Sequence, residues 1–261
     1  MLTEFLGWRR LKDEGKVVGL SSHGKYVDWI YRAFNDCIKI NGHNTDDCDK
    51  KVQSKKIYDD FYRLFYEYNP RNDFGPRGYS KADIAYNGQL VFEEKILEII
   101  SSLKQTVPQV KKIALSGGVF ANVKLNKKIN ELDWVEEVFI TPAMDDNGLP
   151  LGCALTVHKQ FNPDFKPFKL KDTFLGVRYW NNEFYYDKNK FIERPYNENE
   201  IAHDLRSGKV IGWFQGRHEH GPRALCNRSI IADPSVPGTY KKVNDRLQRN
   251  DNMPFAPVVL D

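Results

Sequence analysis

KKIALSGGVFANVKLNKKINELDWVEEVFITPAMDDNGLPLGCALTVHK (Lys111–Lys159) contains two complete strand-to-helix transitions. Lys111–Leu115 reads as a buried strand, Ser116–Gly118 as a tight turn and Val119–Glu131 as a helix. Val135–Thr141 is a second strand, Pro142–Asn147 an acidic loop and Gly148–Lys159 a helix with small residues at Gly152, Cys153 and Ala154. Strand, glycine turn, helix, strand, acidic loop, helix is the order of an α/β arrangement with parallel pairing.

Upstream, the spacing predicts a helix over about Ser80–Gln105. Ser80 is its N-cap, Asp83 stands three residues on, and Ile84, Leu90, Val91, Ile96, Leu97 and Ile100 supply its apolar face. Ile57–Tyr68 and Tyr26–Ile40 also carry apolar residues at helical spacing. His43–Lys56 and Asn69–Gly78 read as loops, Glu14–Gly24 as a glycine-bearing loop and Thr3–Asp13 as a short helical start. Downstream, Asn162–Thr173 is rich in Pro, Lys, Asp and aromatics and forms the core of a linker spanning 162–182. This divides the chain into 1–161 and 183–261. In the second part, Asn197–Ser207 and Tyr240–Gln248 read as helices, and Val210–Phe214, Ile230-Ile231 and the final Pro257–Asp261 as strands.

Composition narrows the class. A hydrophobic share of 41% with 28% charged residues suits a globular chain. No stretch approaches the roughly 18 consecutive apolar residues of a membrane span. No apolar run follows a basic start, so no secretory signal is read and a cytoplasmic location is expected. A net charge of +4 is too slight to imply a nucleic-acid partner. The four cysteines include no CxxC pair and read as reduced thiols. Cys37 and Cys48 flank a loop containing His43, but the spacing matches no usual zinc pattern.

Three segments carry chemistry. Ser116–Asn122 places two glycines between a strand and a helix N-terminus, where free N–H groups favour an anion, with Asn122 as a polar contact. An ordinary βα turn has the same sequence. Asp145-Asp146-Asn147-Gly148 follows the next strand, on the sheet edge where ligands of open α/β folds bind, and its carboxylates suit a divalent metal. An Asx turn capping the next helix is the plainer reading. Gly216–Ser229, GRHEHGPRALCNRS, packs Arg217, Arg223 and Arg228 among glycines and a proline between two apolar strands. Guanidinium forks there read as an anion cradle, with Glu219 holding an arginine in place. Arg246 and Arg249 follow near a short helix.

Gly208–Pro234 resembles the signature of the O-carbamoyltransferases related to nodulation protein U, and Asn244–Leu260 is similar to the segment that follows it there. Glu14–Lys25, Ala114–Asn126 and Thr141–Leu155 resemble three further segments of that family, in the same order. The resemblance implies the C-terminal half of an actin/sugar-kinase/heat-shock-ATPase-like (ASKHA) domain, followed by the start of a YrdC-like α+β domain. It implies an enzyme that makes carbamoyl-adenylate from carbamoyl phosphate and ATP and passes the carbamoyl group to a hydroxyl of a small molecule. Carried over by position, Gly117, Gly118, Asn122 and Asp146 contact the nucleotide, and Asp146 ligates a divalent metal, iron or Mg. Arg217, Arg223, Asn227, Arg228 and Ser229 line the carbamoyl-phosphate/adenylate site, with the three arginines catalytic.

The chain departs from the family pattern at several positions. His220 stands where the family has an aromatic, and Cys226 where it has a glycine. His23 replaces a tyrosine, and Asp145 replaces a glycine. The family's metal-binding histidine pair has no counterpart in Met1–Gly15. The expected chain is therefore an interior piece, inactive alone or working with a homodimer partner or a complementing N-terminal half. The competing readings are a tRNA threonylcarbamoyl-transferase-like protein, a sugar kinase of the same superfamily, and a non-catalytic nucleotide-binding fragment.

Overall fold

The computed structural model describes residues 2–38, 79–166, 168–178, 186–249 and 255–259. The predicted helix Ile57–Tyr68, the loops His43–Lys56 and Asn69–Gly78, and the His43 and Cys48 members of the Cys37–Cys48 set lie outside those residues. The chain forms two compact units. The first holds Met1–Ile113, Ala121–Phe139 and Asn250–Asp261, and the second Ala114–Phe120 and Ile140–Arg249. The described elements make a mixed α/β fold with two small sheets.

The first unit is built on helices α1 (Leu2–Phe5), α2 (Glu14–Ser21), α3 (Asp28–Cys37) and α4 (Lys81–Thr106). α2 and α3 both pack on α4. Leu6, Val17, Val27, Ile30, Phe34, Ile84, Ala85 and Val91 form the buried cluster between them. The start of α4 is as the sequence predicts. Ser80 accepts from the Asp83 N–H, and the Asp83 side chain accepts from the Ser80 N–H, a reciprocal cap.

Along α4, Asp83, Asn87, Gln89 and Glu93 are buried as well. Asp83 accepts the Lys25 N–H at 2.9 Å, and Asn87 accepts the Val27 N–H at 3.1 Å while donating to the Lys25 carbonyl at 3.0 Å. These bonds tie the backbone of the Lys25–Val27 connection to α4 and give the buried Val27 N–H its partner. Gly24 lies so close that a Cβ there would sit 2.0 Å from the Ala82 carbonyl oxygen.

Several local expectations are corrected. Glu14–Ser21 is a helix, not a loop, because burying Val17 and Ser21 outweighs the roughly 1 kcal/mol that each helical glycine costs. The predicted Thr3–Asp13 helix stops at Phe5, since Gly7 (φ +93°) and Leu11 (φ +66°) are left-handed. The predicted helix Val119–Glu131 is split into a 3-10 turn, Gly118–Ala121, and α5, Val123–Asn130. Residues 255–259 are not a strand.

Strands β1 (Lys112–Leu115) and β2 (Glu137–Ile140) pair. The bonds from Glu136 N–H to Lys111 and from Thr141 N–H to Leu115 advance together along both strands, as parallel pairing requires. β1 is not the buried strand expected, for only Leu115 is fully covered. The second unit continues with α6 (Leu149–Phe161), α7 (Glu198–Arg206), β3 (Ile211–Phe214), β4 (Arg228–Ile231) and α8 (Thr239–Leu247). Asn197 caps α7 by accepting from the Asn199 and Glu200 N–H groups.

Candidate functional site: an arginine loop seated on an acidic turn

β3 and β4 pair antiparallel, with Ile211 opposite Ile231, Trp213 opposite Ser229 and Phe214 opposite Arg228. The apolar alternation in Val210–Phe214 therefore makes a hairpin, and Gln215–Asn227 is its long loop. The Gln215 N–H donates to the Asn227 carbonyl and closes the loop's mouth. Gly216 (φ +57°) and Gly221 (φ +106°) take the left-handed turns.

Inside this loop the Glu219 side chain has no solvent exposure. Its Oε1 accepts the Leu225 N–H at 2.5 Å and the Asn227 N–H at 2.8 Å, and its Oε2 accepts Arg228 Nε at 3.1 Å. Burial alone would push this carboxyl up. The N–H groups of Asn227, Glu219 itself and Leu225, with the Arg228 guanidinium, outweigh burial and hold it below the ordinary glutamate value. Arg228 Nη2 donates to the Gly221 carbonyl and, at 3.2 Å, to the Arg223 carbonyl. Glu219 holds an arginine in place, as its position in the sequence suggests, and that arginine is Arg228.

Arg217 and Arg223 are exposed. Arg217 Nε donates to the Gly176 carbonyl at 3.0 Å. Asn227 Nδ2 donates to the Arg217 carbonyl at 2.7 Å, and the Ser229 Oγ accepts the Cys226 N–H at 2.9 Å. Thr173–Arg178 runs beside the loop: the His220 N–H donates to the Thr173 carbonyl, the Gly176 N–H donates to the His218 carbonyl, and Arg178 bridges Arg217. A Cβ on Gly176 would lie 2.5 Å from the His218 ring. Nothing in the composition of Thr173–Arg178 distinguishes it from a connecting segment.

The acidic loop meets both the glycine turn and the arginine loop, within one unit. The Gly117 N–H donates to the Met144 carbonyl at 2.6 Å, and a Cβ on Gly118 would touch the Asp145 Cβ at 3.9 Å. A Cβ on Gly221 would lie 2.4 Å from the Pro142 carbonyl oxygen. Gly117, Gly118 and Gly221 thus each approach the Pro142–Asp145 segment. Asp145 makes the Asx turn, accepting from the Asn147 N–H at 3.1 Å and from its Nδ2 at 2.9 Å. Asp146 is exposed.

Asn122 belongs to the first unit. It caps α5 by accepting the Leu125 N–H at 3.2 Å, and its Nδ2 donates to Gln89 Oε1 at 3.0 Å. Gln89 Nε2 donates to Glu93 Oε1 at 2.6 Å, and Glu93 pairs with Lys128 at 2.6 Å. Gln89 and Glu93 went unread in the sequence, where they pass for the polar face of a long helix.

Among the described residues no group of three or more His, Cys, Asp or Glu side chains converges. Asp145 is committed to Asn147, which leaves Asp146 as one exposed carboxylate. The described residues do not by themselves fit the implied divalent metal, which needs more donors than Asp146 supplies.

Comparison with known proteins follows the same segments. The family profile described as Carbamoyltransferase N-terminus matches residues 1–155, and that described as Carbamoyltransferase C-terminus matches 202–261. The chain belongs to the carbamoyltransferase family. It is 34% identical to nodulation protein NolO of Bradyrhizobium diazoefficiens, over 95% of this chain and 45% of that protein. It is 27% identical to 3'-hydroxymethylcephem-O-carbamoyltransferase of Amycolatopsis lactamdurans, over 97% of this chain and 45% of that protein. It is 29% identical to an uncharacterized protein of Methanocaldococcus jannaschii, over 100% of this chain and 43% of that protein. The chain spans less than half the length of each of these relatives.

Proposed function

We propose that this chain carries the carbamoyl-activating site of an ATP-dependent O-carbamoyltransferase. The observation that carries the reading is the closed arginine loop, with Arg217 and Arg223 exposed and Gly221 seated on Pro142, in the acidic loop that the Gly117–Gly118 turn also touches. Carbamoyl phosphate and ATP each present dense negative charge, and guanidinium forks neutralise and align such groups. Carbamoyl phosphate, ATP and water give carbamoyl-adenylate, phosphate and pyrophosphate. The hydroxyl oxygen of a small-molecule acceptor then attacks the carbamoyl carbon, AMP leaves, and the hydroxyl proton is lost. A relative named for carbamoylating a hydroxymethyl group supports a hydroxyl acceptor.

In this reading residues 1–161 belong to the actin-like transfer part and 183–261 to the YrdC-like activating part. Gly117, Gly118 and Asp146 face the nucleotide. The activating half-reaction is tested by carbamoyl-phosphate-dependent exchange of labelled pyrophosphate into ATP. Exchange that falls at least tenfold in Arg217→Ala and Arg223→Ala, with the fold intact by circular dichroism, is the expected result. A chain that binds neither ATP nor carbamoyl phosphate in equilibrium dialysis is not such a site.

A further inference from the structure

We propose that Glu219 and Arg228 are a positioning pair: they shape the arginine loop without touching its ligand, and Arg217 and Arg223 make the anion contacts. The inference rests on the reading of the loop as an anion cradle and divides the labour among its charged residues.

The contacts of the pair are all internal. The Glu219 carboxylate takes the Leu225 and Asn227 N–H groups and Arg228 Nε. Arg228 Nη2 takes the Gly221 and Arg223 carbonyls. Between them the two side chains fasten Gly221, Arg223, Leu225 and Asn227, the turning part of the loop. A carboxylate with no solvent exposure is costly unless its lone pairs are filled, and here three donors fill them. The anion that this part of the loop holds is therefore its own glutamate. A phosphate recruiting Arg228 would have to take a guanidinium away from a buried counter-charge and two carbonyls. Arg217 is exposed, and its Nε donates to the Gly176 carbonyl, not to either member of the pair. Arg223 gives Arg228 Nη2 its backbone carbonyl, and the residue is exposed.

The sign of one substitution separates this role from simple electrostatics. Glu219→Gln removes a negative charge beside the cradle. If Glu219 acted only through its field, anions would bind tighter. If it holds the loop, they bind more weakly, because the carboxamide leaves the Arg228 charge without its partner and is a poorer acceptor for two N–H groups.

The test titrates ATP and, separately, carbamoyl phosphate into the full chain by calorimetry, for the unsubstituted protein, Glu219→Gln and Arg228→Lys. Hydrogen exchange at the Leu225 and Asn227 amides is followed in the same proteins. The expected result is affinity at least tenfold weaker in both variants and amide exchange at least tenfold faster in Glu219→Gln. Glu219→Gln/Arg228→Gln, which removes both charges, recovers part of the loss. Unchanged or tighter binding in Glu219→Gln overturns the inference while leaving the cradle standing. Unchanged amide exchange overturns it too. An unsubstituted chain that binds neither ligand sinks the cradle reading itself, and the anion-positioning role with it.

Discussion

Cys226 donates its N–H to the Ser229 Oγ at 2.9 Å while its own backbone sits at φ +74°, in the left-handed region that favours glycine. A glycine would hold this conformation without strain. A side chain held there costs on the order of 1–2 kcal/mol, and the Ser229 hydroxyl helps to hold it. Cys226→Gly removes the strain without removing the bond. The expected gain is about 1 kcal/mol, or roughly 2–4 °C in the melting temperature of a chain this size. Ser229→Ala should cost about 1 kcal/mol by leaving the Cys226 N–H unpaired. Calorimetry of the two variants checks both signs, and a Cys226→Gly protein that melts lower contradicts the account.

Gly221 is the seat of the arginine loop. At φ +106°, with the Pro142 carbonyl oxygen 2.4 Å from where a Cβ would stand, it has room for no side chain. The Pro142 carbonyl carbon would lie at 2.7 Å, and both atoms are backbone, so neither can swing away. Gly221→Ala must lift the loop from Pro142–Ala143 or push that segment aside. We expect a loss on the order of 2 kcal/mol or more. Limited proteolysis should then cut within Gly216–Ser229 at least tenfold faster than in the unsubstituted chain. Equal cleavage rates would mean that the loop is not held at this point.

Local rules made some of this legible. Ser80 and Asp83 sit three residues apart before an apolar repeat, and the cap they form depends on nothing distant. The helix beginning at Asn197 and the strand Val210–Phe214 are legible for the same reason. The helix Glu14–Ser21 is not, since Gly15 and Gly19 make it look like a loop and only packing on α4 makes it a helix. Glu219 could be suspected as a partner for an arginine. Its main donors, however, are the backbone N–H groups of Leu225 and Asn227, and a sequence does not show where backbone groups point. Gly221 reads as a turn residue, but the need for glycine comes from Pro142, 79 positions earlier. Contacts at that separation are invisible to periodicity.

The polar chain Asn122–Gln89–Glu93–Lys128 ties α5 to α4 in the first unit. Glu93 accepts from Gln89 Nε2, which fixes which way the Gln89 amide faces. Gln89 Oε1 then accepts from Asn122 Nδ2, which orients the Asn122 amide in turn. Asn122→Ala loses the helix cap and the Gln89 bond, an expected 1–2 kcal/mol. Gln89→Ala should cost a similar amount, by leaving Glu93 with Lys128 alone. The two side chains share one bonded network, so a double-mutant cycle should show a coupling of about 0.5–2 kcal/mol. Denaturant titration of the four proteins measures it, and additive losses would mean that Gln89 and Asn122 act independently.

Asp13 gives the first unit a pH signature. Its carboxylate accepts the Arg9 N–H at 2.9 Å, pairs with Lys16 at 3.0 Å and meets Arg9 Nε at 3.3 Å. The Arg9 N–H bond is the largest cause, followed by the Lys16 contact. Together with the Arg9 side chain they overcome partial burial and lower the carboxyl from 3.8 to about 2. The folded state therefore prefers the ionised form. The stabilisation is fully present above the unfolded value of 3.8 and is lost as pH falls through the folded value of about 2. Asp13→Asn should lower stability at neutral pH, and the difference from the unsubstituted chain should shrink steadily below pH 3.8 and vanish near the folded value. Denaturant unfolding at a series of pH values, with the Asp13 titration followed by NMR, tests both parts. A midpoint at the ordinary aspartate value, or a stability difference that does not depend on pH, would show that the Arg9 and Lys16 contacts do not hold Asp13 in solution.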